Sequence, residues 1–171
     1  MTEDLYMIRR AEPAEIKLLP AIEQAACEMF LETHYANVSD GINTSEQIDI
    51  SRDKVWVAIE FKTSATVGFA IAYRNEESVY LSELDVHPNH GRRGIGRRLI
   101  EAVIAWAREQ SVSSITLITF ADIPWNGPFY ARLGFCPLKP DSVSPALQDL
   151  LKAEEAAGLP MANRICMKLE I

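Results

Sequence analysis

The sequence predicts a mixed α/β (α+β) fold, with a strand-rich centre, helices attached to it and a sheet that need not be purely parallel. Three observations predict it. Strand-like runs and segments of helical apolar period alternate along the chain. The 171 residues, 48% of them apolar, suit one domain spanning 1–171 that buries a core without disulfides or metal. No internal repeat or low-complexity tract interrupts the alternation, which favours a layered architecture.

The elements follow in chain order. Residues 6–10 begin with three apolar residues and read as a short first strand. Pro13 stands near the first turn of a helix, where its missing N–H costs nothing. That helix carries an apolar stripe at Ile16, Leu19, Ile22, Ala26 and Phe30, and Pro20 should kink or split it. Residues 31–50, with Asn37, Ser39, Asp40, Gly41 and Asn43, read as a long loop with a short helix near Ser45 to Ile48. Residues 55–61 and 67–74 read as strands joined by a hairpin over 62–66, and 79–86 as a third strand in the same run. A helix over about 94–109 places Ile95, Leu99, Val103, Trp106 and Ala107 on one face. A strand over 115–120 and a short helix over 125–133 follow, with Gly134 just past the helix end. Ser144-Pro145 opens another helix, which ends near Gly158, and 165–171 alternates as a terminal strand.

Bulk properties exclude several function classes. The formal net charge is -7 and the pI about 5.0, the wrong sign for a general nucleic-acid binder. No run approaches about 18 apolar residues, so no membrane span is expected. The first ten residues, MTEDLYMIRR, carry acids and no apolar stretch, which makes a cytoplasmic protein the expectation. Cys27, Cys136 and Cys166 are widely spaced and contain no CxxC pair. They read as small buried or half-buried hydrophobes, and no metal is expected.

The most informative segment runs from Leu84 to Leu99. Gly91, Gly94 and Gly96 let the backbone turn sharply just where a helix begins. A helix start presents unbonded N–H groups and the positive end of its dipole, which together make an anion site. Arg92, Arg93, Arg97 and Arg98 crowd the same first turns, where cations oppose the dipole by roughly 0.3–1 kcal/mol each. An acidic chain that concentrates cations there is expected to bind an anion, such as a diphosphate. The P-loop pattern is missing, and the dinucleotide fingerprint fails for want of a third glycine after Gly94 and Gly96.

This segment resembles the acetyl-CoA-binding motif of the GNAT superfamily of N-acetyltransferases. That motif reads glutamine or arginine, two residues, glycine, one residue, then glycine or alanine. It falls here on Gly91, Arg92, Arg93, Gly94, Ile95 and Gly96, with Gly91 replacing the Gln/Arg. The resemblance implies a central, mixed, mostly antiparallel sheet flanked by helices. It also implies that backbone from Arg92 to Arg97 holds the diphosphate, while Leu84, Asp85 and Val86 pair with the pantetheine arm. A second segment, Asn126 to Phe135, is similar to the family's Asn…Tyr-x-x-x-Gly-Phe region. There Asn126 would contact the coenzyme and Tyr130 would lie near the thioester sulfur and protonate the leaving thiolate. Read locally, Asn126 is equally a plain helix cap.

Acyl transfer from a thioester to an amine needs a base, a place for the oxyanion and an acid for the thiolate. The resemblance assigns the oxyanion to backbone N–H near Val86. Glu83 is the chosen base, since it shares a strand face with Leu81 and Asp85, and burial beside a second acid should raise its pKa. His87 and His90 are alternatives, read as surface residues. The expected activity is acetyl transfer from acetyl-CoA to a primary amine of a small molecule or peptide by direct attack. The alternative is a non-catalytic acyl-CoA-binding module. Residues 31–50, with His34, Tyr35 and Asp40, border the expected acceptor site, and the terminal strand is an expected edge for a homodimer.

Overall fold

The computed structural model describes residues 4–36 and 47–171. Residues 37–46 of the expected loop and helix between 31 and 50, Asp40 among them, lie outside the described residues. Internal contacts group the chain into two compact units, Met1–Tyr73 with Leu81–Trp106, and Arg74–Tyr80 with Ala107–Ile171. Strand hydrogen bonding follows the order β1 (Tyr6–Arg10), β2 (Lys54–Glu60), β3 (Thr66–Asn75), β4 (Ser78–Val86), β5 (Ser114–Phe120), β7 (Arg164–Glu170), β6 (Cys136–Pro137).

The first unit holds strands β1 (Tyr6–Arg10), β2 (Lys54–Glu60) and most of β3 (Thr66–Asn75) and β4 (Ser78–Val86). β1 pairs antiparallel with β2, and β2 antiparallel with β3 across the expected hairpin. Val55 to Ile59 and Val67 to Ala72 are all buried, so these strands carry core side chains on both faces. One core cluster joins Val55, Val57, Ile59, Phe69 and Ile71 to Leu19 and Ile22 of helix α1 (Leu19–Cys27). Trp106 of helix α2 (Ile95–Glu109) meets Trp56, with ring centroids 5.5 Å apart.

Pro20 splits the first helical segment as expected. A 3-10 stretch, Pro13–Leu18, precedes α1, and Pro20 sits in the first turn of α1 where no N–H is needed. A further 3-10 turn, Glu28–Phe30, ends the segment.

The second unit holds β5 (Ser114–Phe120), helix α3 (Gly127–Arg132), β6 (Cys136–Pro137), helix α4 (Pro145–Ala156) and β7 (Arg164–Glu170). β5 runs parallel to the start of β4 at Val79 and Tyr80, and antiparallel to β7 over its full length. Ser144 caps α4 by accepting from Leu147 N–H at 3.3 Å, as its sequence signature requires. Arg164 ties α4 to β7 through Glu154 at 2.6 Å while its guanidinium stacks on Phe120.

Two expectations are corrected here. The terminal strand β7 is not a sheet edge, because Cys136 and Pro137 pair with its Lys168 and Met167. A two-residue strand with no alternation gives no signal in sequence. Cys136 is also exposed, because it lies on that short outer strand, whereas Cys27 is half-buried and Cys166 buried.

Candidate active site

The glycine-rich turn lies in the first unit, between β4 and α2. Beyond Val86, His87 N–H donates to Val67 O at 2.8 Å, so the exit from β4 is held against β3. A 3-10 turn, Pro88–His90, follows, with His87 Nδ1 accepting from Asn89 N–H at 3.2 Å. The three glycines serve different ends. Gly94 has φ +78 and Arg92 has φ 60, so the backbone is left-handed on both sides of Arg93. Gly91 has φ -61, and its role is space: a Cβ there would stand 3.2 Å from the Pro88 carbonyl. Gly96 lies within the first turn of α2. Arg98 N–H donates to Gly94 O at 3.1 Å, which makes Gly94 the first acceptor of the helix and leaves the N–H groups of Ile95 to Arg97 without helical partners.

The four arginines at this turn do not all stand alike. Arg98 is bound to Asp4 at 2.6 and 3.1 Å and to the Tyr6 carbonyl at 3.0 Å. Its cation is answered within the protein and ties α2 to β1. Arg93 donates to Tyr6 OH at 2.8 Å, a neutral partner that leaves its charge in place. Arg97 pairs with Glu101 at 2.9 Å one turn on, and both side chains are exposed. Such a pair contributes only about 0.3–0.5 kcal/mol, so it is readily exchanged for another anion.

The acid face of β4 is more crowded than the sequence indicates. Glu83 and Asp85 share a face as expected, and Glu23 and Cys27 of α1 face them. Glu23 is buried, at 3% exposure. The carboxyl that is pushed well above its usual range is Asp85, by burial first and then by the charges of Glu83 and Glu23. One of its oxygens, Oδ2, is buried without a hydrogen-bond partner. The same surroundings push the Cys27 thiol up to about 12, burial again leading and Asp85 next, so Cys27 is no nucleophile at neutral pH. An acid raised by burial and by its neighbours thus stands on this face of β4, at Asp85. Glu83 itself is half-buried. His87 and His90 are also half-buried: His90 is packed against Tyr6, and His87 accepts from Asn89 N–H within its own turn.

Gly68 was not singled out from sequence. A Cβ there would meet the Asp85 carbonyl at 2.9 Å and Val86 at 3.3 and 3.4 Å. Only glycine lets β3 approach the end of β4 so closely, and an isolated glycine inside a strand was the available signal. Leu84, Asp85 and Val86 are half-buried there.

Asn126 and Tyr130 lie in the second unit. Asn126 occupies the cap position of α3 but its side chain makes no capping bond. Its Oδ1 accepts from the buried Thr119 hydroxyl of β5 at 2.7 Å. That overturns the plain-cap reading, and that bond does not use the amide NH2. Gly127 brings α3 close to the end of β5, since a Cβ there would meet the Phe120 and Ala121 carbonyls at 3.0 Å. Tyr130 is half-buried, and its ring makes edge contacts with Phe129 and the fully buried Phe135, with centroids 5.2 and 5.7 Å away. Its carbonyl accepts from Phe135 N–H at 3.1 Å, which couples it to the Gly134 turn at φ +96.

The model of the acetyltransferase (GNAT) family matches residues 20–135, more than half of the chain. The chain belongs to the GNAT family of acetyltransferases. An uncharacterised N-acetyltransferase of Escherichia coli K12, YafP, is 32% identical over 144 residues, covering 80% of this chain and 85% of YafP. A GNAT-family acetyltransferase of Staphylococcus aureus Mu50 superposes with a TM-score of 0.71 at 16% identity, over 96% of this chain and 98% of the other. PaiA N-acetyltransferase of Thermoplasma acidophilum, in complex with coenzyme A, does so with a TM-score of 0.69 at 13% identity, over 97% and 99%. These structures share the mixed, mostly antiparallel sheet flanked by helices. The GNAT acetyltransferase is thus an acyltransferase with acetyl-CoA as donor, and membership favours acetyl transfer over a non-catalytic binding module. Among the described residues no group of His, Cys, Asp and Glu is arranged to hold a metal ion, and no helix is long and apolar enough to cross a membrane.

Proposed function

We propose that this chain acts as one acetyltransferase domain that moves the acetyl group of acetyl-CoA to a primary amine of a small molecule or peptide by direct attack. The observation that carries the reading is contiguity: the acid face of β4 leads straight into a left-handed turn and the open N-terminus of α2. Backbone from Gly91 to Arg97 holds the diphosphate. The end of β4, Leu84 to Val86, pairs with the pantetheine arm, and N–H near Val86 receives the oxyanion. Glu83 takes the amine proton and Tyr130 gives a proton to the departing thiolate. Asn126 contacts the coenzyme through its amide NH2.

Exposed His34, stacked at 4.0 Å on buried Tyr35, borders the acceptor. The three free cysteines accord with a reducing compartment, and we place the reaction in the cytoplasm.

The test is an amine and peptide panel read by release of free coenzyme A, beside calorimetry with acetyl-CoA. Thiol release that depends on an amine supports the reading. Tight binding with no release across the panel would return the chain to a binding module. With an acceptor in hand, Tyr130→Phe should lower turnover about a hundredfold while coenzyme affinity stays near wild type. Unchanged turnover would remove Tyr130 as the acid.

A further inference from the structure

Three groups around the coenzyme turn converge on the start of β1. Arg93 Nη1 lies 2.8 Å from Tyr6 OH, and His90 Nδ1 lies 3.0 Å from the same oxygen. Arg98 binds the Tyr6 carbonyl at 3.0 Å and the Asp4 carboxylate beyond it. Tyr6 is 4% exposed, so its hydroxyl has little water to turn to. Guanidinium nitrogen can only donate, so the Tyr6 oxygen accepts from Arg93. The Tyr6 hydroxyl and His90 Nδ1 share a second hydrogen bond, in which the tautomer of the ring decides which of the two donates. The rings stand edge to face, centroids 5.8 Å apart at 87°, which orients Nδ1 toward the hydroxyl. Glu60 stands 3.9 Å from His90 Nδ1 and the His87 ring lies 6.1 Å away, so His90 is confined on several sides.

His90 ends the 3-10 turn, and Arg93 lies between the left-handed residues Arg92 and Gly94. One hydroxyl therefore clamps the turn on either side of Gly91, the position where a side chain of the family pattern is missing. We propose that Tyr6 is a positioning residue for the coenzyme: its hydroxyl locks His90 and Arg93 together and sets the turn's shape before the diphosphate arrives. The inference rests on the reading of this turn as the coenzyme site. Preorganisation lowers the cost of ordering a loop on binding, so its loss falls on affinity and not on the chemical step.

The test is calorimetry with coenzyme A, followed by steady-state kinetics at saturating acceptor. Tyr6→Phe keeps the ring and removes the clamp. It should raise the coenzyme Kd and KM roughly five- to tenfold, with kcat at saturating coenzyme within about twofold of wild type. His90→Leu, which removes the ring nitrogen that meets Tyr6, should shift Kd in the same direction. His90→Asn, whose side-chain amide can stand in for Nδ1, should restore affinity. Wild-type binding matched by Tyr6→Phe would overturn this inference alone, as would a fall in kcat with KM unchanged. Failure of the wild-type chain to bind coenzyme A would overturn it together with the reading beneath it.

Discussion

The turn before α2 and the acid face of β4 both gather like charges, and they resolve them in opposite ways. On the turn, the cations are exposed or half-exposed and answered piecemeal, Arg97 by Glu101 and Arg98 by Asp4. On the strand, the carboxyls are withdrawn from water beside one another, and Asp85 is held toward its protonated form. Water and mobile partners make the first arrangement cheap and exchangeable. Burial makes the second costly unless a proton is retained. A binding surface is built from charges that change partners easily. A proton-handling surface is built from groups whose ionisation the fold controls.

That contrast can be broken at several points. The largest effect is expected from Glu83→Gln on the strand face. Turnover should fall about a hundredfold or more, and the acidic limb of the pH–rate profile should vanish while coenzyme affinity holds. An unaltered profile excludes Glu83 as the base. Gly68→Ala comes next, because the added Cβ meets backbone atoms of Asp85 and Val86 that cannot swing aside. A loss of about 1–3 kcal/mol in denaturant unfolding is expected; a neutral result would mean that β3 and β4 part at no cost.

Asp85→Asn tests the proton itself. In the unfolded chain an aspartate titrates near about 3.9. Folded Asp85 holds its proton to higher pH, so its contribution is full below that value and is lost as pH rises through the folded pKa. The substitution should therefore raise Tm at pH 8 relative to wild type and flatten the fall in stability above pH 4. A Tm difference independent of pH would contradict the shift. The smallest effect belongs to the turn: Arg97→Ala should change stability by less than about 0.5 kcal/mol, since only an exposed pair is lost. Its cost should appear in coenzyme affinity, measured by calorimetry in low and high salt.

Much of the framework was legible. Strand-like apolar runs located β2, β3, β4 and β5, period-two alternation located β7, and the apolar stripe through Leu99 and Val103 located α2. Pro20 marked the break before α1 and Ser144 the start of α4, since both act on backbone N–H groups within a few residues. β6 was illegible because two residues carry no period. The role of Asn126 stayed open because a good capping residue is equally a good partner for Thr119, and only the placement of β5 decides between them. The partners of the arginines were illegible for a similar reason. Sequence shows four charges at a helix start, but not that Asp4 and Tyr6, about ninety positions earlier, lie beside two of them.

The sequence by itself determined the alternation of strand and helix, the glycine-rich turn and the order of the two motifs. These depend on local backbone preference and on periodicity, which neighbouring residues suffice to express. Tertiary structure alone decided that Asp85 is held toward its protonated form and that the Tyr6 hydroxyl meets both His90 and Arg93. The first depends on the burial of Asp85 among Glu83 and Glu23, the second on where β1 lies against the turn. Desolvation and long-range hydrogen bonds exist only once distant segments are packed, so no reading of adjacent residues contains them.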